Sequence, residues 1–220
     1  MNDGRILAGR WVIASIAAVA LVGEARAKDH VDYAPAPEWV IAAPSTARES
    51  APASGELEVS YQDFQIYADR EADYLYQAYR LSLLGPQALA AGNLSLSWNP
   101  DDGGITVHFV RIWRRGELID VLKATRFNVL RREAALEQAK LDGLLTAVMQ
   151  VPDLQIGDDL EFAATIENRN ATLKNLTFGF VQLPLVGSNG EFRARLSWAP
   201  DSAPIIHTTS DLGSVTTRDG

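Results

Sequence analysis

Along Val151–Asn168 (VPDLQIGDDLEFAATIEN) polarity comes to alternate with period two. Leu160, Phe162, Ala164 and Ile166 fall on one side of an extended backbone, and Asp159, Glu161, Thr165 and Glu167 on the other. That is the pattern of a half-buried strand. Its approach is punctuated, because Pro152 removes a backbone donor and Gly157 stands before Asp158 where the turn calls for positive φ. Similar patterning recurs upstream. Leu57–Ala68 is rich in β-branched and aromatic residues, Asp69–Asp73 is a charged turn, and Tyr74–Leu84 places Leu75, Tyr79, Leu81 and Leu83 on one face. These features predict an antiparallel hairpin. Gly85-Pro86 ends it, and Leu94–Trp98 is short and alternating. Asn99–Gly104 (NPDDGG) has the turn chemistry expected between paired strands. Ile105, Val107 and Phe109 share a face, but Val110, Ile112 and Trp113 fill both, which predicts a central or bulged strand end.

Arg115-Gly116-Glu117 then turns the chain into Leu118–Leu122. Phe127–Leu141 mixes good helix formers with strand-like flanks, and reads as a strand followed by a short helix or irregular crossing. A strand follows at Leu144–Val151, after Asp142-Gly143. Farther on, Leu176–Val186 and Phe192–Trp198 flank the hairpin loop Gly187-Ser188-Asn189-Gly190, with Pro184 marking the first of them as an edge or bulged strand. Many short strands with regular turn signals predict an all-β fold, a two-layer antiparallel β-sandwich with at most one short helix. A barrel-like closure is the alternative. Gly116, Gly143, Gly157 and Asp158 are the expected structural turn residues. The sandwich should span residues 57–210, with residues 211–220 as a disordered tail.

The N-terminal part reads differently. Two arginines precede the apolar run Trp11–Gly23, which has the length of a signal-peptide core and is short for a bilayer span of roughly 20 residues. Ala25 and Ala27 then sit where a signal peptidase reads small residues, so residues 1–27 are expected to be a cleaved leader with Lys28 as the new N-terminus. The expected location is therefore periplasmic or secreted, without a stable membrane anchor after cleavage. Residues 28–56 form a Pro- and Ala-rich extended lead-in, in which Trp39-Val40-Ile41 should dock as a short edge strand. The net charge of −8 disfavours nucleic acid as a partner, and the absence of cysteine removes disulfides, thiolate nucleophiles and Cys-ligated zinc.

Four stretches carry a family resemblance: Tyr33–Val40 (YAPAPEWV), Val107–Val121 (VHFVRIWRRGELIDV), Phe127–Glu133 (FNVLRRE) and Leu141–Ile166 (LDGLLTAVMQVPDLQIGDDLEFAATI). Together they resemble the N-terminal domain of unknown function that precedes a transglutaminase-like domain in exported bacterial proteins. The resemblance implies a β-sandwich accessory module, usually followed by a papain-like Cys, His, Asp enzyme. The chain departs from that pattern by ending at Gly220, where the enzyme domain would begin, and by lacking a cysteine, so no catalytic residue is carried over. The expected role is that of a non-catalytic interaction module whose partner is a protein or peptide, including a transglutaminase-like domain encoded nearby.

Candidate chemistry is sparse. His30, His108 and His207 are the only imidazoles and lack metal-ligand spacing, so no metal or other cofactor is expected. Asp158, Asp159 and Glu161 could supply carboxylates for a hydrolase or a calcium site, but read better as a turn acid and solvated strand acids, and Asp101-Asp102-Gly103 as a turn. Trp98, Trp113 and Trp198 with Tyr74, Tyr76 and Tyr79 could form an aromatic platform for a sugar or peptide, although aromatics in strands are more often core.

Overall fold

In the computed structural model, which describes residues 28–43, 55–131, 143–169, 190–201 and 203–209, the alternating stretch is strand β9 (Asp159–Asn168) near the middle of a seven-stranded sheet. Strand order in this sheet is β1-β5-β9-β3-β2-β10, with β6 also paired to β5. The other members are β1 (Val31–Tyr33), β2 (Leu57–Ala68), β3 (Asp73–Leu83), β5 (Ile105–Arg114), β6 (Glu117–Asp120) and β10 (Glu191–Trp198). A second sheet, order β4-β8-β7, comprises β4 (Asn93–Trp98), β7 (Asn128–Arg131) and β8 (Leu145–Gln150). Two short 3-10 turns, Pro86–Gly92 and Val121–Lys123, complete the described elements.

The fold is mostly β with two packed sheets, as the sequence predicts. Leu160, Phe162, Ala164 and Ile166 of β9 meet Leu94, Leu96 and Trp98 of β4 and Leu145, Ala147 and Met149 of β8 in one core. Phe162 lies at its centre, 2% exposed, with its ring 5.4 Å from Tyr79 and 6.4 Å from Phe127. The three-stranded sheet is antiparallel, whereas the large sheet is mixed, because β1 pairs parallel to β5 and β10 parallel to β2.

The predicted hairpin is present. β2 and β3 pair antiparallel from Leu57↔Leu83 to Ala68↔Asp73, and the Asp69 carboxylate caps the turn by accepting from the N–H groups of Glu71 and Ala72. β5 is internal and bulged. Its register against β9 shifts between Val107 and Phe109, so Ile105 and Val107 face the core, as do Val110 and Ile112 beyond the bulge. Phe109 is turned to the opposite face, where it packs with Tyr61, Tyr76 and Ala163, and does not share a face with Val107 as the alternation suggested. The turn to β6 is a tight two-residue loop with φ of +51° at Arg115 and +85° at Gly116, the signature of a hairpin turn whose twist matches its strands. Gly143 and Gly157 also have positive φ, at +67° and +91°.

Two expectations are corrected. Asn99–Gly104 does not join paired strands: β4 pairs with β8, and β5 with β1, β6 and β9, so this turn carries the chain from one sheet to the other. It is docked on the end of β9, where the Glu167 N–H donates to Gly104 O and a Cβ on Gly103 would lie 2.0 Å from Glu167 O, which only glycine can accommodate. Trp39-Val40-Ile41 is not an edge strand either. The lead-in supplies its edge strand earlier, as β1, and Trp39–Ala43 instead crosses the outer face of the large sheet. The expected strand Leu176–Val186, its hairpin loop at residues 187–189, the crossing at residues 132–141, the cleavage site at Ala25 and Ala27 and the tail at residues 211–220 lie outside the described residues.

Candidate functional site

Among the described residues, the face of the large sheet turned away from the core carries most of the buried polar chemistry. Because side chains alternate, the register places Tyr61, Asp63 and Gln65 of β2 beside Tyr76, Ala78 and Arg80 of β3, Glu161, Ala163 and Thr165 of β9, and Arg193 and Arg195 of β10 on this one face. Asp63 and Gln65 are fully buried. The Arg193 guanidinium forks onto Asp63, Nε to Oδ1 at 2.8 Å and Nη2 to Oδ2 at 2.6 Å, while Gln65 Nε2 donates to Asp63 Oδ2 at 2.9 Å. A buried carboxylate persists only with such partners.

Gln65 and the two arginines also hold the lead-in. Gln65 Oε1 accepts from the Ile41 N–H at 3.0 Å and Gln65 Nε2 donates to Ile41 O at 2.7 Å, so one side-chain amide reads the main chain as a neighbouring strand would. Arg193 Nη2 donates to Ile41 O and Ala42 O, and Arg195 Nη1 to Trp39 O. Trp39 stacks on Tyr67 with ring centroids 5.6 Å apart, and Val40 and Ala43 pack on the small apolar cluster of Tyr61, Tyr76, Ala78 and Ala163.

Farther along the face, Glu161 accepts from Tyr61 Oη at 2.9 Å and Trp113 Nε1 at 3.0 Å, with Arg111 Nη1 3.7 Å away. Burial pushes the Tyr61 phenol well above its usual range and Glu161 pushes it further, while Tyr76 is raised by burial to about 12. Arg80 binds Asp159 Oδ2 at 2.6 Å and lies over the Trp113 ring. At the start of β9, Asp158 is 2% exposed and receives Arg114 Nε and Nη2, each at 2.8 Å, and the Gln155 N–H at 2.8 Å. The Arg114 fork, with the Gln155 N–H, outweighs burial and holds the Asp158 carboxyl below its usual range. Glu161 is therefore not the solvated strand acid the alternation implied, Asp158 at the turn is buried, and β9 is covered on both sides. The outward-facing acids meet arginines and aromatics from other strands.

His108, at the β5 bulge, contacts Ala34 O through Nδ1 at 2.9 Å and Thr165 Oγ1 through Nε2 at 2.7 Å, stacked beside Tyr76. A carbonyl can only accept, so Nδ1 carries the proton and Nε2 accepts from the threonine hydroxyl. Burial lowers the His108 pKa below its usual value, keeping the ring neutral at pH 7. The pair borders a cavity of about 210 Å³ with Ala34, Pro35, Tyr74 and Glu167. Glu167 is engaged by Lys28 Nζ at 2.8 Å and by Arg169, which together outweigh its burial and lower its pKa. Chemically, the His108–Thr165 pair can accept a hydroxyl proton, while acyl transfer would also need an oxyanion site.

Residues 71–219 of this 220-residue chain match the family described as "Domain of Unknown Function with solved-structure structure (DUF3857)". The chain belongs to the DUF3857 family. No curated protein matches it. Among solved structures, the DUF3857 chain is similar to a candidate protease from Parabacteroides distasonis ATCC 8503, with 16% identity, a TM-score of 0.48, and coverage of 53% of this chain and 24% of that one. It is also similar to native yeast LTA4 hydrolase, with 14% identity, a TM-score of 0.28, and coverage of 53% and 15%. The matched region thus spans about a quarter or less of either protein.

The DUF3857 fold does not gather its three histidines. His30 is exposed beside Asp29 and Asp32, His207 is exposed beyond β10, and among the described residues no three His, Cys, Asp or Glu side chains form a metal-binding group. Asp101 and Asp102 close an Asn99-centred turn. Four of the six aromatics are engaged within the domain. Trp98 and Tyr76 are 4% exposed, Trp98 donates its indole N–H to Lys28 O, Tyr79 packs on Phe162, and Trp113 is tied to Glu161. The residues that matter most on the outer face, Asp63, Gln65, Arg193 and Arg195, went unnoticed in the sequence. The available signal was the polar pair Asp63 and Gln65 at alternate positions of β2, between Tyr61 and Tyr67.

Proposed function

We propose that this DUF3857 chain is an exported, non-catalytic accessory module that holds extended protein segments, of the kind that precedes a transglutaminase-like domain. The observation that carries this reading is the outer sheet face gripping a length of main chain, its own residues 39–43, through Gln65, Arg193 and Arg195. The carboxylates and histidine named above are held in structural contacts. Asp63 and Asp158 sit in arginine forks, Glu161 is shared by Tyr61 and Trp113, and both His108 nitrogens are bonded. Export is supported by the apolar run Trp11–Gly23 and the small residues Ala25 and Ala27. The test is an assay of amine incorporation into a glutamine substrate and of peptide hydrolysis, with and without calcium. No turnover above the buffer blank is expected. Turnover that survives repurification and is lost in His108→Ala would overturn the reading.

A further inference from the structure

The lead-in is held in an unusual way for a piece of core. Its polar contacts with the sheet go to its main chain: Gln65 takes both the N–H and the C=O of Ile41, Arg193 takes two successive carbonyls, and Arg195 takes a third. Meanwhile the Ile41 side chain is 49% exposed and Ala42 is exposed. Side-chain recognition is confined to Trp39 against Tyr67 and to Val40 and Ala43 on the Tyr61, Tyr76, Ala78 and Ala163 cluster. The receiving groups are organised without the lead-in, since the Arg193 fork on Asp63 and the Gln65 contact with Asp63 lie within the sheet. Main-chain bonding combined with a few side-chain anchors is how proteins bind extended peptides.

We infer that the outer face of the large sheet is a peptide-binding site whose resident occupant is the chain's own Trp39–Ala43. Its ligand in trans is a partner segment that, like the strap, leaves a turn at an aromatic residue and continues with two aliphatic and two small residues. The aromatic stacks on Tyr67, the first aliphatic and the second small residue meet the apolar cluster, and the intervening N–H and C=O pair with Gln65. A partner segment enters when the resident strap lifts off, so the wild-type chain is self-occluded and binding strengthens as the strap is weakened. This inference rests on the proposed role as an interaction module, yet the two fail separately: turnover would refute that role without touching peptide binding, and absent binding would leave the activity assays unchanged.

The test uses the full chain carrying Trp39→Ala and Val40→Ala, and a fluorescein-labelled peptide of residues 35–43 (APAPEWVIAA without its first residue, that is PAPEWVIAA), followed by anisotropy. Saturable binding is expected, at least about tenfold tighter than to the wild-type chain, whose own strap competes. A peptide with proline in place of Ile41, which lacks the N–H that Gln65 accepts, should bind at least about tenfold more weakly, as should the strap-weakened chain carrying Gln65→Ala. No saturable binding by a strap-weakened chain that melts cooperatively, or equal binding of the proline peptide, overturns the inference. Dimerisation of the wild-type chain that excludes the peptide also overturns it and assigns the face to a second copy's strap. Should the weakened chain fail to fold, amide hydrogen exchange on the wild type decides. The Ile41 N–H is expected to exchange at least about a hundredfold faster than the core amides of β9 through local opening. Exchange of Ile41 only at the rate of global unfolding would make the strap an integral part of the fold and end the proposal.

Discussion

Replacing Asp158 with alanine should be among the most damaging single changes to this domain that leave its apolar core intact. The carboxylate is 2% exposed and makes three bonds, two in the Arg114 fork and one from the Gln155 N–H. Beside it, main-chain bonds from Leu83 N to Asp158 O and from Gly157 N to Leu83 O tie the turn to the end of β3. Removing one partner of a buried ion pair costs about 3 to 5 kcal/mol. Arg114 is 28% exposed and keeps a bond to Asp153 O, so it can be partly rehydrated, which places Asp158→Ala near the low end, about 3 kcal/mol. For a chain of this size that is roughly a 6 to 12 °C drop in melting temperature. Asp158→Asn keeps an acceptor for Gln155 but loses the charge, and should cost about 2 kcal/mol. Urea unfolding followed by far-UV circular dichroism measures both, and in a cycle with Arg114→Ala the two losses should be clearly less than additive. The pH dependence carries a sign. Asp158 has a depressed folded pKa, so its stabilisation is present above the unfolded value of about 3.9 and is lost as pH falls through the folded value. The stability gap between wild type and Asp158→Asn should stay constant from about pH 7 to 5 and close below about 4. A cost for Asp158→Ala below about 1 kcal/mol, or a gap that widens in acid, would refute the claim that this pair anchors the turn into β9.

On the neighbouring strand positions, Phe162→Ala should cost about 3 to 5 kcal/mol by leaving a cavity beside Tyr79 and Phe127, and an unchanged melting temperature would show the register of β9 to be wrong. Glu161→Lys should not be silent, because it strands the Tyr61 and Trp113 donors and sets an ammonium near Arg111. A loss of about 2 kcal/mol is expected, against which an unaltered urea midpoint would count. His108 has a folded pKa lowered by burial, so its neutral form contributes fully above the unfolded value of about 6.5 and that contribution is lost as pH falls below it. An NMR titration of the ring should give a midpoint below about 6.5, and a midpoint at or above that value would mean the ring is not desolvated.

How far the sequence could be read depended on whether a signal was local. The β2–β3 hairpin, the Arg115-Gly116 turn and the core side of β9 follow from alternation and turn chemistry within a dozen residues, and these appear as predicted. The outer face does not, because alternation says only which side chains share a face. Asp63 meets Arg193 across 130 positions and Tyr61 meets Glu161 across 100. An acid in a strand is therefore read as solvated until the strand bringing its arginine is known. The same limit explains NPDDGG, since its turn residues serve a sheet-to-sheet crossing as well as a hairpin, and only the partners of β4 and β5 tell the two apart. It also explains the lead-in. Trp39-Val40-Ile41 has the composition of an edge strand, but the Val40 N–H closes a turn onto Pro37 O, and the Ile41 N–H and C=O and the Trp39 C=O are taken by the Gln65 side chain and by arginines rather than by a neighbouring strand. Backbone hydrogen bonding must be satisfied wherever the chain is covered, and a side-chain amide on a sheet face can do so as well as a sheet edge. Once Gln65 is placed there, the buried Asp63 and its Arg193 partner hold that amide in the orientation that meets the Ile41 N–H and C=O.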